Sequence, residues 1–167
     1  FGQQENLMYY ITMMNEFYEH PAMPEGAEEG ILRGIYRVRP APEDTPAVVL
    51  FGSGTILNEV LKAQQILKAE YGIDAETWSV TSYKELYWDG IETDRWNLSH
   101  PNEEPRQSYL SQCFAGDRNI FVAASDYVRA LPCSVAKWLP GKLTVLGTDG
   151  FGRSDTRQAL RRYFGVD

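Results

Sequence analysis

Apolar strands alternate with amphipathic helices from residue 47 onward, and this alternation constrains the fold more than any other feature of the chain. The first strand, at residues 47–51, reads AVVLF and is apolar at both alternating positions, as in a strand buried on both faces. Gly52-Ser53-Gly54 then leads into a helix with an apolar stripe, which Gly72 is placed to end. Strands that alternate with helices form parallel sheets covered on both faces. The pattern predicts an α/β protein with three layers, α/β/α, and a mostly parallel sheet.

Three more strands continue the alternation, at residues 77–80, 119–124 and 143–146. Ser82 is predicted to cap a short helix, because Glu85 three residues later completes a capping box. Gly90 is predicted to end that helix. Asp155 is predicted to cap the last helix, with Gln158 three residues on.

The N-terminal residues have a different character. Residues 1–20 are predicted to form one buried strand with a short lead-in, because both alternating positions of NLMYYITMMNEFY are apolar. Pro21 and Gly26 then end the strand. The strand would present Glu16 and His20 at its end, where α/β proteins usually place reacting groups.

A proline-containing connector follows this strand. Residues 24–36 could hold a turn of helix that starts among acidic residues, and the chain then returns as a short strand or an extended arm. A connector of this length is unusual inside one compact domain. We therefore expect three parts: residues 1–25, a linker over residues 26–45, and a domain over residues 46–167.

The charge balance argues against a nucleic-acid partner. The formal net charge is -7 and the pI is near 4.9, whereas phosphate neutralisation needs clustered Lys and Arg. Four arginines do cluster near the end of the chain, at Arg153, Arg157, Arg161 and Arg162. We interpret them as helix C-terminal cations and solvated surface, because aspartates lie among them.

Other sequence features indicate the cellular compartment of the protein. No apolar run approaches the roughly 20 residues that span a bilayer, which excludes a membrane span. Cys113 and Cys133, with two distant histidines, do not provide a zinc site, and a reducing, cytoplasmic compartment fits best. The chain begins with Phe1 rather than Met, and we interpret it as a fragment of a longer chain.

Gly52-Ser53-Gly54 stands where phosphate-binding turns lie, between a strand and a helix. The dinucleotide fingerprint needs a third glycine where Leu57 stands, and the Gly-Lys-Ser/Thr of a Walker loop is also missing. Two interpretations stay open: a structural strand-to-helix turn, or the binding site of a freestanding nucleotide- or anion-binding module.

Glu16 and His20 are the candidate catalytic residues. Residues four apart on a strand point to the same side and can reach one substrate. Histidine supplies a proton donor near neutral pH, and a carboxylate can orient it or tune its pKa. The same spacing also fits a hydrogen-bonded structural histidine. His100, just before a proline, fits a surface or helix-end position.

Several longer motifs are specific enough to indicate a family. They are QQEN (3–6), YYIT (9–12), HPAMPEGAEEGILRGIY (20–36), GSGTIL (52–57), SVTS (79–82), RWN (95–97), HP (100–101) and LGTDGFGRSDTR (146–157). In this order they resemble the homodimeric bacterial type of pyruvate dehydrogenase E1 component, a thiamine-diphosphate enzyme. The resemblance extends from end to end.

The resemblance implies a function for the longer chain. Residues 1–25 would be the closing strand of a pyrimidine-binding domain, and residues 46–167 a transketolase-type C-terminal domain. The family decarboxylates pyruvate on thiamine diphosphate with Mg²⁺ and acetylates the lipoyl group of the E2 dihydrolipoyl acetyltransferase. Glu16 and His20 match positions that face the thiamine intermediate, with His20 as the proton-transfer or lipoyl-acylation residue.

The chain also lacks parts of the family pattern. The G-D-G…N motif that binds diphosphate and magnesium is missing, and Thr148-Asp149-Gly150 is not that motif. The activating glutamate would lie upstream of Phe1. We therefore expect that this piece alone holds no cofactor and is inactive, and that it contributes contacts of the homodimer and supports the rim of the active site.

Overall fold

Five strands form one sheet within residues 6, 8–11, 13, 16–42, 46–116 and 120–166, which are the residues that the computed structural model describes. The strands are β1 (Ile35–Arg39), β2 (Val48–Gly52), β3 (Ala75–Val80), β4 (Ile120–Ala124) and β5 (Lys142–Leu146). The α-helices are α1 (Glu28–Arg33), α2 (Ile56–Tyr71), α3 (Tyr83–Ser99), α4 (Tyr109–Cys113), α5 (Ala130–Cys133) and α6 (Arg157–Phe164), and a 3-10 helix spans Ala136–Trp138.

The sheet is parallel except at one edge. Its strand order is β1-β3-β2-β4-β5. β2 pairs in parallel with both β3 and β4, and β4 pairs in parallel with β5. β1 pairs antiparallel with β3. The prediction of a mostly parallel sheet is confirmed.

Two apolar clusters cover the two faces of the sheet. On one face, Phe51 of β2 and Phe121 of β4 pack on Phe114, which follows α4, with ring centroids 5.4 Å and 5.2 Å away. On the opposite face, Leu50 of β2 packs with Val60 of α2. Consecutive strand residues point to opposite faces, so one apolar strand supplies both clusters. The three layers predicted from the sequence are confirmed.

β1 joins the sheet although it lies within residues 26–45, where the sequence predicts a linker. Gly34 ends α1 with a left-handed φ of 102°, and its carbonyl oxygen accepts hydrogen bonds from the backbone N–H groups of Thr81 and Ser82 at 2.9 Å and 3.1 Å. Ile35 is fully buried in the larger cluster. This segment therefore contains a helix and a strand, while the position of the domain boundary stays a prediction.

The described residues before α1 contain no helix or strand. Met8, Tyr10 and Phe17 are 97%, 93% and 108% exposed. The buried strand predicted over residues 1–20 is therefore not formed among them. Apolarity at both alternating positions indicates that a segment can be buried, but a strand also needs a partner for its backbone N–H and C=O groups.

α3 runs unbroken through Gly90, so the helix end predicted there is wrong. A Cβ atom at this position would lie 2.4 Å from Cε2 of Trp138. Glycine therefore makes room for the indole ring against the helix. The indole Nε1 also donates a hydrogen bond to Oδ2 of Asp94, one turn further along α3, at 3.2 Å.

Two helix caps can be compared with the sequence. Ser82 caps α3 as predicted, because its Oγ accepts a hydrogen bond from the N–H of Glu85 at 3.2 Å. Thr156, and not Asp155, caps α6, where its Oγ1 accepts from the N–H of Ala159 at 3.3 Å. Asp155 instead accepts a hydrogen bond from the N–H of Thr156 at 2.6 Å. The predicted cap is one residue too early.

We expect Gly90→Ala to destabilise the chain, because the added methyl group overlaps the indole of Trp138. Overpacking of this kind costs about 1–3 kcal/mol and outweighs the gain in helix propensity of about 1 kcal/mol. Urea unfolding measures the change. Gly152→Ala is the control, since a Cβ there meets no atom within 4 Å. A Gly90→Ala protein more stable than the original would contradict this packing.

We expect Phe114→Ala to lower the free energy of unfolding by about 3–5 kcal/mol, because it removes a buried ring from the centre of the aromatic cluster. Phe151→Ala is the matched control, since Phe151 is 95% exposed and its loss should change stability by less than about 0.5 kcal/mol. Equal effects of the two substitutions in urea unfolding would show that the cluster does not carry the fold.

Candidate functional site

The carboxyl edge of the sheet, where β2, β4 and β5 end, is the first place to look for a site. Open α/β sheets bind ligands outside the carboxyl ends of their strands, where the strand order reverses. β2 has β3 on one side and β4 on the other, so this reversal lies between β2 and β4. Ser53 and Ser125 are the first residues after these two strands.

The turn after β2 is structural. The Oγ of Ser53 donates a hydrogen bond to the Oγ of Ser125 at 3.1 Å, and both side chains are buried. The N–H of Tyr127 donates to the same Ser125 oxygen at 3.2 Å. A Cβ at Gly52 would lie 2.8 Å from the Cα of Leu57, so this glycine allows β2 and α2 to pack closely. The freestanding anion-binding module therefore has no support, because the hydroxyl groups of Ser53 and Ser125 are buried and bind each other.

Residues 16–20, which we call the edge segment, lie against the carboxyl edge of the sheet. Asn58, in the first turn of α2, donates a hydrogen bond from Nδ2 to the carbonyl oxygen of Glu19 at 2.9 Å. Glu16 lines a cavity together with Thr148, which lies two residues after β5. The edge segment therefore reaches positions that follow β2 and β5.

Glu16 is bound by two hydrogen-bond donors. Nη2 of Arg157 lies 2.8 Å from its Oε1 and 2.7 Å from its Oε2. The hydroxyl of Tyr18 donates to Oε2 at 3.0 Å. The hydrogen bond from Arg157, followed by that from Tyr18, lowers the pKa of Glu16 below its ordinary 4.5. The hydrogen bond to Glu16 raises the pKa of Tyr18. An exposed carboxyl group is ionised at neutral pH, and the lowered pKa of Glu16 keeps it ionised at more acidic pH.

His20 is exposed and lies at the end of the edge segment. Among the residues that the structure describes, no hydrogen bond joins its ring to Glu16, whose partners are Arg157 and Tyr18. The two candidate residues share one short segment but do not form the pair that their spacing suggests. The imidazole is open to an incoming group, as proton transfer requires.

The cavity between the edge segment and α6 has a volume of about 500 Å³. Its apolar lining residues are Leu160, Phe164 and Val166. Its charged lining residues are Glu16, Asp155, Arg157 and Arg161. The sequence offers no signal for this arrangement, because Glu16 and Arg157 are 141 residues apart and the arginine cluster resembles ordinary solvated surface.

The loop that leads to α6 is fixed by a second ion pair. The N–H and Nε of Arg129 donate to the two carboxylate oxygens of Asp149 at 2.8 Å and 2.7 Å. The hydrogen bond from the backbone N–H of Arg129 contributes most to lowering the pKa of Asp149, and the hydrogen bond from its side chain lowers it further. The N–H of Thr148 also donates to the carbonyl oxygen of Tyr127 at 3.0 Å. The chain after β5 is thus attached to the chain after β4 before it reaches Arg157.

The remaining candidates have structural positions. His100 ends α3, where its ring stacks on Trp96 at 4.4 Å, as expected of a helix-end residue. No group of three or more His, Cys, Asp or Glu side chains in the described part of the chain could hold a metal ion. None of the described helices is long and apolar enough to cross a membrane.

The sequence has close relatives among bacterial enzymes. It is 47% identical over 167 residues to the pyruvate dehydrogenase E1 component of Pseudomonas aeruginosa. The matched region covers 99% of this chain and 19% of that protein. Identity to the Escherichia coli pyruvate dehydrogenase E1 component is 47% over 166 residues, or 99% of this chain and 18% of that protein. The chain therefore spans about a fifth of the length of the relatives that it matches.

Solved structures share the fold. The transketolase of Leishmania mexicana superposes with a TM-score of 0.52 at 20% identity, over 83% of this chain and 17% of that one. A split-gene transketolase, described as an inactive β4 tetramer, gives a TM-score of 0.53 at 19% identity, over 80% of this chain and 38% of that one. Residues 34–167 match the transketolase-like TK C-terminal domain. The chain belongs to this family of transketolase-like C-terminal domains.

Proposed function

We propose that the chain is the C-terminal part of a pyruvate dehydrogenase E1 component and acts within the complete enzyme. The observation that carries this proposal is the 47% identity to such a component across 99% of the chain. The complete enzyme decarboxylates pyruvate and transfers the two-carbon unit to a lipoyl group of the E2 acetyltransferase. This piece alone is incomplete and inactive.

The edge segment is the part of the chain that meets the reaction. Glu16 and His20 are both exposed at the carboxyl edge of the sheet, which leaves them accessible to groups outside the domain. His20 transfers a proton or assists acylation of the lipoyl group, for which an imidazole is suited near neutral pH. Glu16, four residues before His20, is ionised near neutral pH.

This chain supplies no cofactor ligand in the proposal. Thiamine diphosphate, with Mg²⁺, supplies the carbanion chemistry when it is bound to the complete enzyme. The described residues contain no cluster of His, Cys, Asp or Glu that fits a metal ion, and the two buried serines after β2 and β4 bind each other. Because the G-D-G…N motif is missing from its sequence, we propose that this chain supplies neither a diphosphate nor a magnesium ligand.

The exposed apolar residues in and before the edge segment are a contact surface of the complete enzyme. Met8, Tyr10, Met13 and Phe17 are each at least 88% exposed. Several large apolar side chains that are exposed along one short segment indicate an interaction site. In the proposal, a pyrimidine-binding domain covers it, the complete enzyme is a cytoplasmic homodimer, and the lipoyl domain of E2 is its partner.

We expect His20→Ala in the complete enzyme to lower the activity of the reconstituted complex by about 10²–10⁴-fold, the usual contribution of a general acid or base. The assay measures NADH formed from pyruvate. A second assay, with an artificial electron acceptor in place of the lipoyl group, separates decarboxylation from lipoyl acylation.

His100→Ala is the matched control, because His100 is the second histidine and stacks at a helix end. It should leave both activities near the original level. Equal activity of the His20→Ala and original enzymes in both assays would show that His20 has no role in the reaction. A complete original enzyme without pyruvate-dependent activity would contradict the proposed function itself.

A further inference from the structure

We propose that Arg157 is a positioning residue that holds the Glu16 carboxylate in place in the complete enzyme. This inference rests on the proposed function, because it concerns the same edge segment. It adds to the reaction site a residue from α6, at the far end of the chain. Its basis is the geometry of the ion pair and of the cavity beside it.

The ion pair defines the orientation of the carboxylate. One guanidinium nitrogen, Nη2 of Arg157, lies within 2.8 Å of both oxygens of Glu16, and the Tyr18 hydroxyl binds Oε2 from the edge segment itself. Three hydrogen bonds from two elements fix the rotation of the carboxylate about its terminal bond. A free exposed glutamate would sample many rotamers instead.

Stability alone does not explain the pair. Exposed ion pairs contribute little to folding, and the side chains of Glu16 and Arg157 are 51% and 62% exposed. α6 has no buried residue. The pair joins α6 to the edge segment and orients the Glu16 carboxylate.

Arg157 is the charged group that lowers the pKa of Glu16 most. The other charged side chains that line the same cavity are Asp155 and Arg161, and Tyr18 is the remaining hydrogen-bond donor. The hydrogen bond from Arg157 is the largest contribution to the lowered pKa of Glu16. Without Arg157, the pKa of Glu16 rises towards its ordinary value, so that on acidification the carboxylate becomes protonated at a higher pH than in the original enzyme.

The test uses the complete enzyme with Arg157→Ala and Arg157→Lys. Arg157→Ala should lower kcat/KM for pyruvate in the complex assay by roughly 10–100-fold, as misplacement of a group near the reaction does. The acid limb of its pH profile should move to higher pH. Arg157→Lys keeps the charge but loses the planar guanidinium, so its effects should be intermediate.

Arg162→Ala is the matched control, because Arg162 is exposed on the same helix and does not line the cavity. It should leave kcat/KM and the pH profile unchanged. In a Glu16→Gln background, Arg157→Ala should change kcat/KM by less than about twofold, since interacting residues are not additive.

Three results would overturn the inference while the original enzyme stays active. The first is an Arg157→Ala enzyme with the same kcat/KM as the Arg162→Ala enzyme. The second is an Arg157→Ala enzyme whose pH profile has an unshifted acid limb. The third is a loss of kcat/KM on Arg157→Ala that is as large in the Glu16→Gln background as in the original enzyme. If circular dichroism shows that Arg157→Ala does not fold, Arg157→Lys decides by the same criteria. Inactivity of the original enzyme would instead contradict the proposed function, so the two failures are distinguishable.

Discussion

The parallel pairing of β2 between β3 and β4 is the constraint on which the rest of the structure depends. It buries β2 on both faces, so Leu50 and Phe51 need apolar partners on opposite sides, and helices supply them. It also brings the ends of neighbouring strands together at one edge. Ser53 and Ser125 meet there and bind each other through their buried hydroxyl groups. The candidate site lies at the edge segment, which is bound to α2 through Asn58 and to α6 through Arg157.

The edge segment is attached by polar contacts and not by the core. Asn58 of α2 binds the carbonyl oxygen of Glu19, and Arg157 of α6 binds the carboxylate of Glu16. Phe17, between these two attachments, is fully exposed. The segment therefore has a defined position while its apolar and imidazole groups stay accessible. This combination suits a piece that completes a site together with other parts of an enzyme.

Local sequence patterns were sufficient for the four parallel strands β2 to β5, but not for β1, which lies in the predicted linker. The strands around Leu50 and Val122 are apolar on both faces, and Gly72 ends α2 with the positive φ of 66° that a glycine supplies. Gly90 could not be interpreted in the same way, because its reason for being glycine is the indole of Trp138, which no local pattern reveals. Arg157 was missed for the same reason, since its partner lies 141 residues away. The apolar residues before Glu16 show that periodicity measures the capacity for burial, while burial itself depends on a partner.

A crystal structure of the complete enzyme tests the central claim most directly, namely that the edge segment is fixed at the carboxyl edge with His20 open to its surroundings. In that structure we expect the Arg157 guanidinium to stay within hydrogen-bonding distance, about 3.2 Å, of the Glu16 carboxylate. We expect the same distance between the Asn58 amide nitrogen and the carbonyl oxygen of Glu19. We also expect the His20 imidazole to face the cofactor-bearing part of the enzyme. An edge segment separated from α2 and α6, or a His20 ring enclosed within the interior of this domain, would contradict the claim.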